Sequence, residues 1–161
     1  MAVKIRLRLT VEALGCTFYM RPHDGSWARF IKFAAQFAAE SGVNLGELDV
    51  DTDTSDSPEV LALFAKMPAE MIEALCDLFV QGCVGWKGVL IEKTGEDGQP
   101  VLGEDGQPLV VAAPCNLETK RAMEPQDKLV IALAYVSAAQ EVEAKKAPPA
   151  SPTTDGTPLP A

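Results

Sequence analysis

The sequence predicts an α+β fold in which a small antiparallel sheet, built from N-terminal strands and a Trp-containing hairpin, is packed by four or five helices. Three observations support this class: strict apolar and polar alternation at the N-terminus, helical periodicity in later segments, and an acidic repeat flanked by strand-like runs. The 161 residues, 47% of them hydrophobic, suffice for one core. We predict a single domain over residues 1–146 and a Pro-rich disordered tail over residues 147–161.

The N-terminus predicts a β-hairpin. Residues 3–11 alternate apolar and polar side chains, which is the period of a half-buried strand. Leu14-Gly15 breaks the run, and residues 16–20 form a second strand that folds back on the first. The polar face of the first strand carries Lys4, Arg6 and Arg8. This face is either a solvated surface or a local cationic docking patch.

Capping signals mark the helices. Ser26 is the expected N-cap of a helix with a broad apolar stripe of aromatic residues, and Gly42 ends it. Ser57 or Asp56 is the expected cap of the next helix, whose first residue is Pro58. Three further starts are expected at Pro68, Asn116 and Pro125. The chain therefore alternates short helices with the strand-forming segments around them.

Residues 95–110 read GEDGQPVLGEDGQPLV, an eight-residue unit written almost twice. Each copy holds an Asp-Gly pair followed by Gln-Pro, both of which are turn signals. Residues 84–93 before it and residues 108–112 after it are strand-like. We interpret the repeat as the lengthened tip of a hairpin. The alternative is a calcium loop, but nothing fixes its four carboxylates into a cage.

Composition excludes several functions. The net charge of −9 argues against a general nucleic-acid binder, which needs a basic surface to displace counterions from phosphates. The chain has no membrane-spanning apolar run and no signal-peptide core, so we expect a soluble protein of the cytoplasm. Four cysteines without a CxxC pair indicate reduced, mostly buried thiols. The acidic loop at residues 49–60 lacks the Gly and Glu of an EF-hand, and we expect no cofactor.

The sequence contains no strong catalytic signature. It has no P-loop, no GxSxG and no HExxH motif. The single histidine, His23, could form a nucleophilic dyad with Cys16 or Cys115, although a histidine beside Asp-Gly is more often a surface turn residue. We therefore predict a non-enzymatic protein and keep a small cysteine hydrolase as an alternative.

The order of features in residues 84–146 resembles the tail assembly chaperones of long-tailed bacteriophages. The resemblance rests on Gly85-Trp86-Lys87-Gly88-Val89, an acidic Asp-Gly hairpin, the helix start Asn116-Leu117-Glu118, a Pro125-led helix and a polar tail. It implies a protein of the host cytoplasm with no catalytic site. Its partner would be the long, helical tape measure protein, held soluble until tail tube subunits polymerise around it. Tube subunits are the second partner to consider.

A chaperone of this kind needs adaptable apolar surface. The candidate partner-binding residues are Trp86, Phe79, Met71, Lys4, Arg6 and Arg8. For the three apolar residues the alternative is a place in a well-filled core, and burial of Trp86 against the helices is the more frequent outcome for such a residue. A structural protein of the tail or of the head-tail junction is the alternative function.

Overall fold

The computed structural model describes residues 8–21, 24–48 and 50–146. The strands are β1 (Leu9–Ala13), β2 (Cys16–Met20), β3 (Cys83–Lys87), β4 (Leu90–Glu92) and β5 (Val110–Ala112). The helices are α1 (Asp24–Ser41), α2 (Pro58–Lys66), α3 (Ala69–Gly82), α4 (Leu117–Ala122) and α5 (Pro125–Lys146), with a 3-10 turn at Leu45–Glu47. The predicted α+β class is confirmed. Residues 1–7, including Lys4 and Arg6, and the predicted tail over residues 147–161 lie outside the described residues.

The N-terminal hairpin forms as the alternation predicts. Strands β1 and β2 pair antiparallel, and β3 pairs with β2 to complete a sheet of order β1-β2-β3. The connection is the two-residue turn Leu14-Gly15, with φ angles of 56° and 71°, as in the type I′ turns that match strand twist. The inward side chains Val11, Ala13, Phe18 and Met20 are all buried. One face of this sheet therefore forms part of the core.

Helix α1 starts earlier than predicted. Its first residue is Asp24, so Ser26 lies within the first turn and the N-cap prediction was wrong. Ser26 is buried there, which shows that this end of the helix packs against the core. Phe30 and Phe37 are buried on the inward face, as the apolar stripe predicts. The helix ends before Gly42, as expected.

The other predicted caps are confirmed. The Ser57 side chain accepts a hydrogen bond from the Val60 amide at 3.2 Å, and Pro58 is the first residue of α2. The Asn116 side chain accepts one from the Thr119 amide at 2.8 Å at the start of α4. Each bond satisfies one of the amides that a helix start leaves without a partner.

Helix α5 is the centre of the fold. Leu129, Val130, Ile131 and Ala132 are consecutive and each is 0% exposed. Successive helical residues point in different directions, so burial of all four means that the helix is surrounded by protein. On one side it packs with α1 and α3, and on the other with the three-stranded sheet. The core between α5 and the helices α1 and α3, and the core between α5 and the sheet, therefore both depend on this helix.

The single strand predicted over residues 84–93 is in fact two strands. The break is at Gly88, whose φ of 89° lies in a region that residues with side chains rarely adopt. Before it, β3 belongs to the main sheet, where Trp86 pairs with Phe18. After it, β4 pairs with β5 in a separate two-stranded sheet. Trp86 is therefore a residue of the main sheet, and the hairpin begins after it.

Candidate interaction surface

The two-stranded sheet and the repeat form an extension that we call the arm, residues 90–112. Its large apolar residues are exposed: Leu90, Ile91, Leu102, Leu109, Val110 and Val111, between 41% and 60%. Single exposed apolar residues are normal, but a group of this size on one short element usually marks an interaction site. The arm is therefore the strongest candidate for a functional surface in the described residues.

The exposed residues lie on both faces of the arm. Ile91 pairs with Val111 across the ladder, and these side chains share one face. Leu90 and Val110 fall on the opposite face, because neighbouring strand residues alternate in direction. Neither face is covered by the body. A two-stranded hairpin of this kind is only marginally stable alone in water, so burial against a partner would stabilise it.

The two copies of the repeat fold into the same turn. The Gly95 amide donates to the Gln99 carbonyl at 2.8 Å, and the Gly98 amide donates to the Gly95 carbonyl at 3.0 Å. The Asp97 carboxylate accepts a hydrogen bond from the Gln99 amide at 3.0 Å. The second copy repeats these contacts at Gly103, Asp105, Gly106 and Gln107. The predicted turn chemistry is confirmed.

A ring of three backbone hydrogen bonds closes the tip of the arm. The Val101 amide donates to the Lys93 carbonyl, the Leu109 amide to the Val101 carbonyl, and the Lys93 amide to the Leu109 carbonyl. Each of these hydrogen bonds is 2.8 Å long. The spacing between these three positions equals the length of one repeat. Each copy of the repeat therefore begins near one residue of the ring and ends near the next. The duplication thus closes the tip as well as lengthening it, which the turn signals alone did not predict.

Deleting residues 95–102, one complete copy, is expected to leave the fold intact. Lys93 and Leu109 can then pair directly in an ordinary hairpin, and most of the deleted side chains are exposed. The free energy of unfolding, measured by urea denaturation, should change by less than about 1 kcal/mol. A loss above about 3 kcal/mol, as for a core residue, would show that the repeat contributes to the core.

Trp86 joins the arm to the core. Its indole N–H donates a hydrogen bond to the Ala113 carbonyl at 2.8 Å. Its ring stacks on Phe79, with centroids 6.4 Å apart and planes within 8°, and meets Phe18 edge-on at 6.3 Å. The Ala113 amide in turn donates to the Val89 carbonyl at 2.9 Å. Trp86 therefore fixes the base of the arm.

Replacing Trp86 with Phe should lower the free energy of unfolding by about 1–2 kcal/mol. The ring can still stack on Phe79, but the Ala113 carbonyl loses its donor. Urea denaturation measures the loss, and hydrogen exchange at the Ala113 amide should become faster because the base of the arm is less firmly held. Unchanged exchange at Ala113 would argue against this anchoring role.

The structure corrects two of the predicted partner-binding residues. Met71 and Phe79 are each 0% exposed and belong to the core, so they cannot contact a partner in this folded state. Their helical periodicity marked an inward face, and sequence alone does not separate an inward face from a docking face. Arg8 is exposed, with its guanidinium carbon 4.8 Å from the centre of the Tyr19 ring.

The apolar residues of the arm were missed by sequence reasoning. The sequence feature that could have indicated them is a strand with apolar residues on both faces beside strongly polar turns. It occurs in VLIE, residues 89–92, and in PLVV, residues 108–111. Such runs also occur in strands that are buried on both sides. The sequence therefore left the exposure of these residues undetermined.

Cys83 and Cys16 are poorly suited to nucleophilic chemistry. Cys83 and Cys115 have their sulfur atoms 4.0 Å apart, and burial, with the neighbouring Cys115, raises the pKa of Cys83 to about 12. Burial also raises the pKa of Cys16. A protonated thiol is a weak nucleophile at neutral pH. His23, the histidine of the alternative dyad, lies outside the described residues.

No protein-family model, curated protein or solved structure matches this chain. Within residues 8–21, 24–48 and 50–146, no helix is long and apolar enough to cross a membrane. In the same part of the chain, His, Cys, Asp and Glu side chains form no group of three or more that could hold a metal ion. The exposed apolar residues of the arm are therefore the evidence for the candidate surface.

Proposed function

We propose that the protein is a non-enzymatic tail assembly chaperone of a long-tailed bacteriophage. It binds the tape measure protein in the host cytoplasm and keeps it soluble while the tail tube is assembled. The observation that carries the proposal is the exposed apolar arm on a well-packed body. The order of the Gly-Trp strand, the Asp-Gly hairpin and the two helix starts supports the same function through its resemblance to this family.

The arm meets the physical requirements of such a chaperone. A long helical client exposes apolar side chains until the tube surrounds it, and these side chains must be covered to prevent aggregation. Covering them requires apolar surface that is not needed for the chaperone's own folding. The arm supplies such surface on two faces, while helix α5 and its neighbours form a core of their own.

Co-expression tests this proposal. The chain, tagged at Met1, is produced with the tape measure protein encoded in the same phage genome, and the soluble fraction and the co-purifying proteins are identified by mass spectrometry. We expect the tape measure protein to become soluble and to co-purify, with tube subunits as a second partner. An insoluble tape measure protein, together with many copies of this chain in finished particles, would instead favour a structural protein of the tail or head-tail junction.

A further inference from the structure

We infer that the arm selects a basic amphipathic helix. This inference rests on the proposed function, because that helix would be the segment of the client that the arm holds. It specifies the chemistry of the bound segment: one apolar stripe flanked by Lys and Arg side chains. Three properties of the arm support it, namely its short strand edges, its excess of negative charge and the position of its apolar side chains.

The strand edges of the arm are short. The amides of Lys93, Val101 and Leu109 all donate within the ring, and strands β4 and β5 are only three residues long. An extended peptide that adds a strand needs a longer run of free backbone groups at a sheet edge. The arm therefore offers its partner side chains, which favours a helix over an added strand.

The charge of the tip is negative and is not compensated by the body. Its exposed carboxylates are Glu96, Asp97, Glu104 and Asp105. Lys93 is a cation of the arm itself, and no cation of the described residues lies within ion-pair distance of these four carboxylates, since the ion pair there is Arg29–Glu73. The net charge of −9 adds a long-range attraction for cations. A basic segment is therefore drawn to the arm and an acidic one is repelled.

The apolar and acidic groups are arranged so that one ligand can use both. Ile91 and Val111 lie on one face of the strands, Leu90 and Val110 lie on the other, and the carboxylates lie beyond the strands in the two turns. A helix with apolar residues at spacings of three and four presents one continuous stripe, and its Lys and Arg side chains are long enough to reach past that stripe. Such a helix can bury the stripe on one face of the strands while its cations reach the turns.

Two synthetic helical peptides test this inference. Both carry the same leucine stripe, and the polar positions are Lys in one peptide and Glu in the other. Binding to the full chain is measured by fluorescence anisotropy at low and at high salt. We expect the Lys peptide to bind at least about tenfold more tightly than the Glu peptide at low salt, with the difference shrinking as salt rises.

A charge-matched pair of protein variants locates the effect. The arm variant carries Glu96→Gln, Asp97→Asn, Glu104→Gln and Asp105→Asn. The control variant removes the same charge elsewhere by Glu40→Gln, Asp51→Asn, Asp53→Asn and Glu70→Gln. All eight carboxylates are exposed. We expect the arm variant to lose most of the preference for the Lys peptide and the control variant to stay within about twofold of the original protein.

The outcomes separate this inference from the proposed function. Equal binding of the two peptides, or equal effects of the two variants, overturns the basic-helix inference even if the tape measure protein still co-purifies. The same holds if neither peptide binds while the client is captured. Selective binding of the Lys peptide through the arm, with no capture of the tape measure protein, supports the basic-helix preference and rejects the proposed client.

Discussion

Replacing Phe79 with Ala is expected to lower the free energy of unfolding by about 3–5 kcal/mol. The side chain is 0% exposed and lies where α3, the main sheet and the base of the arm meet. Its ring meets Phe18 edge-on at 5.9 Å and stacks on Trp86, so the substitution removes two aromatic contacts and leaves a cavity. Urea denaturation followed by circular dichroism measures the loss.

Leu102→Ala is the control for this substitution. Leu102 is 60% exposed on the arm, so its truncation should change the free energy of unfolding by less than about 0.5 kcal/mol. If Phe79→Ala were as mild as Leu102→Ala, Phe79 would not belong to the core and its removal from the partner surface would be wrong.

Replacing Lys120 with Ala is expected to lower the free energy of unfolding by about 2–4 kcal/mol. Lys120 is a charged residue in a buried position, 9% exposed. Its ammonium donates to the carbonyls of Val80 at 2.8 Å and Cys83 at 2.9 Å, at the C-terminal end of α3. Helix ends leave such carbonyls without partners, and a cation is well placed to satisfy them. Without it, two buried acceptors lose their donor.

Lys120→Met separates the hydrogen bonds from the packing of the side chain. Methionine retains much of the apolar stem but donates no hydrogen bond, so most of the loss should remain. The neighbouring Arg121 is exposed, and Arg121→Met should leave stability nearly unchanged. A Lys120→Met protein as stable as the original would show that the contacts to Val80 and Cys83 contribute little.

The parts of the fold that follow from local chemistry could be predicted from sequence. The alternation of residues 3–11 predicted the strand whose described part is β1, and the Leu14-Gly15 break predicted its turn. Ser57 and Asn116 marked helix starts because a side-chain oxygen there accepts an amide three residues later. The N-cap prediction at Ser26 was wrong because the helix already begins at Asp24. A residue type that favours an N-cap can also lie inside the first turn when that end of the helix packs against the core.

The candidate surface depends on contacts between residues far apart in the chain, and a single sequence does not show these contacts. Whether Met71 and Phe79 face a partner or the core is decided by what packs against them, and the sequence pattern is the same in both cases. Lys120 reaches across to carbonyls about 40 positions away in the chain, a contact with no local signal. The ring at Lys93 likewise exists only once the two copies of the repeat have folded together.

We expect the arm to bind a partner while the body folds without that partner. A variant that changes both faces of the arm, with Leu90→Ser, Ile91→Ser, Val110→Ser and Val111→Ser, tests this through two measurements: capture of the co-expressed tape measure protein and the free energy of unfolding. All four residues are exposed, at 59%, 44%, 55% and 42%. We expect capture to be lost while the free energy of unfolding changes by less than about 2 kcal/mol. Retained capture, or a loss of several kcal/mol in stability, would contradict it.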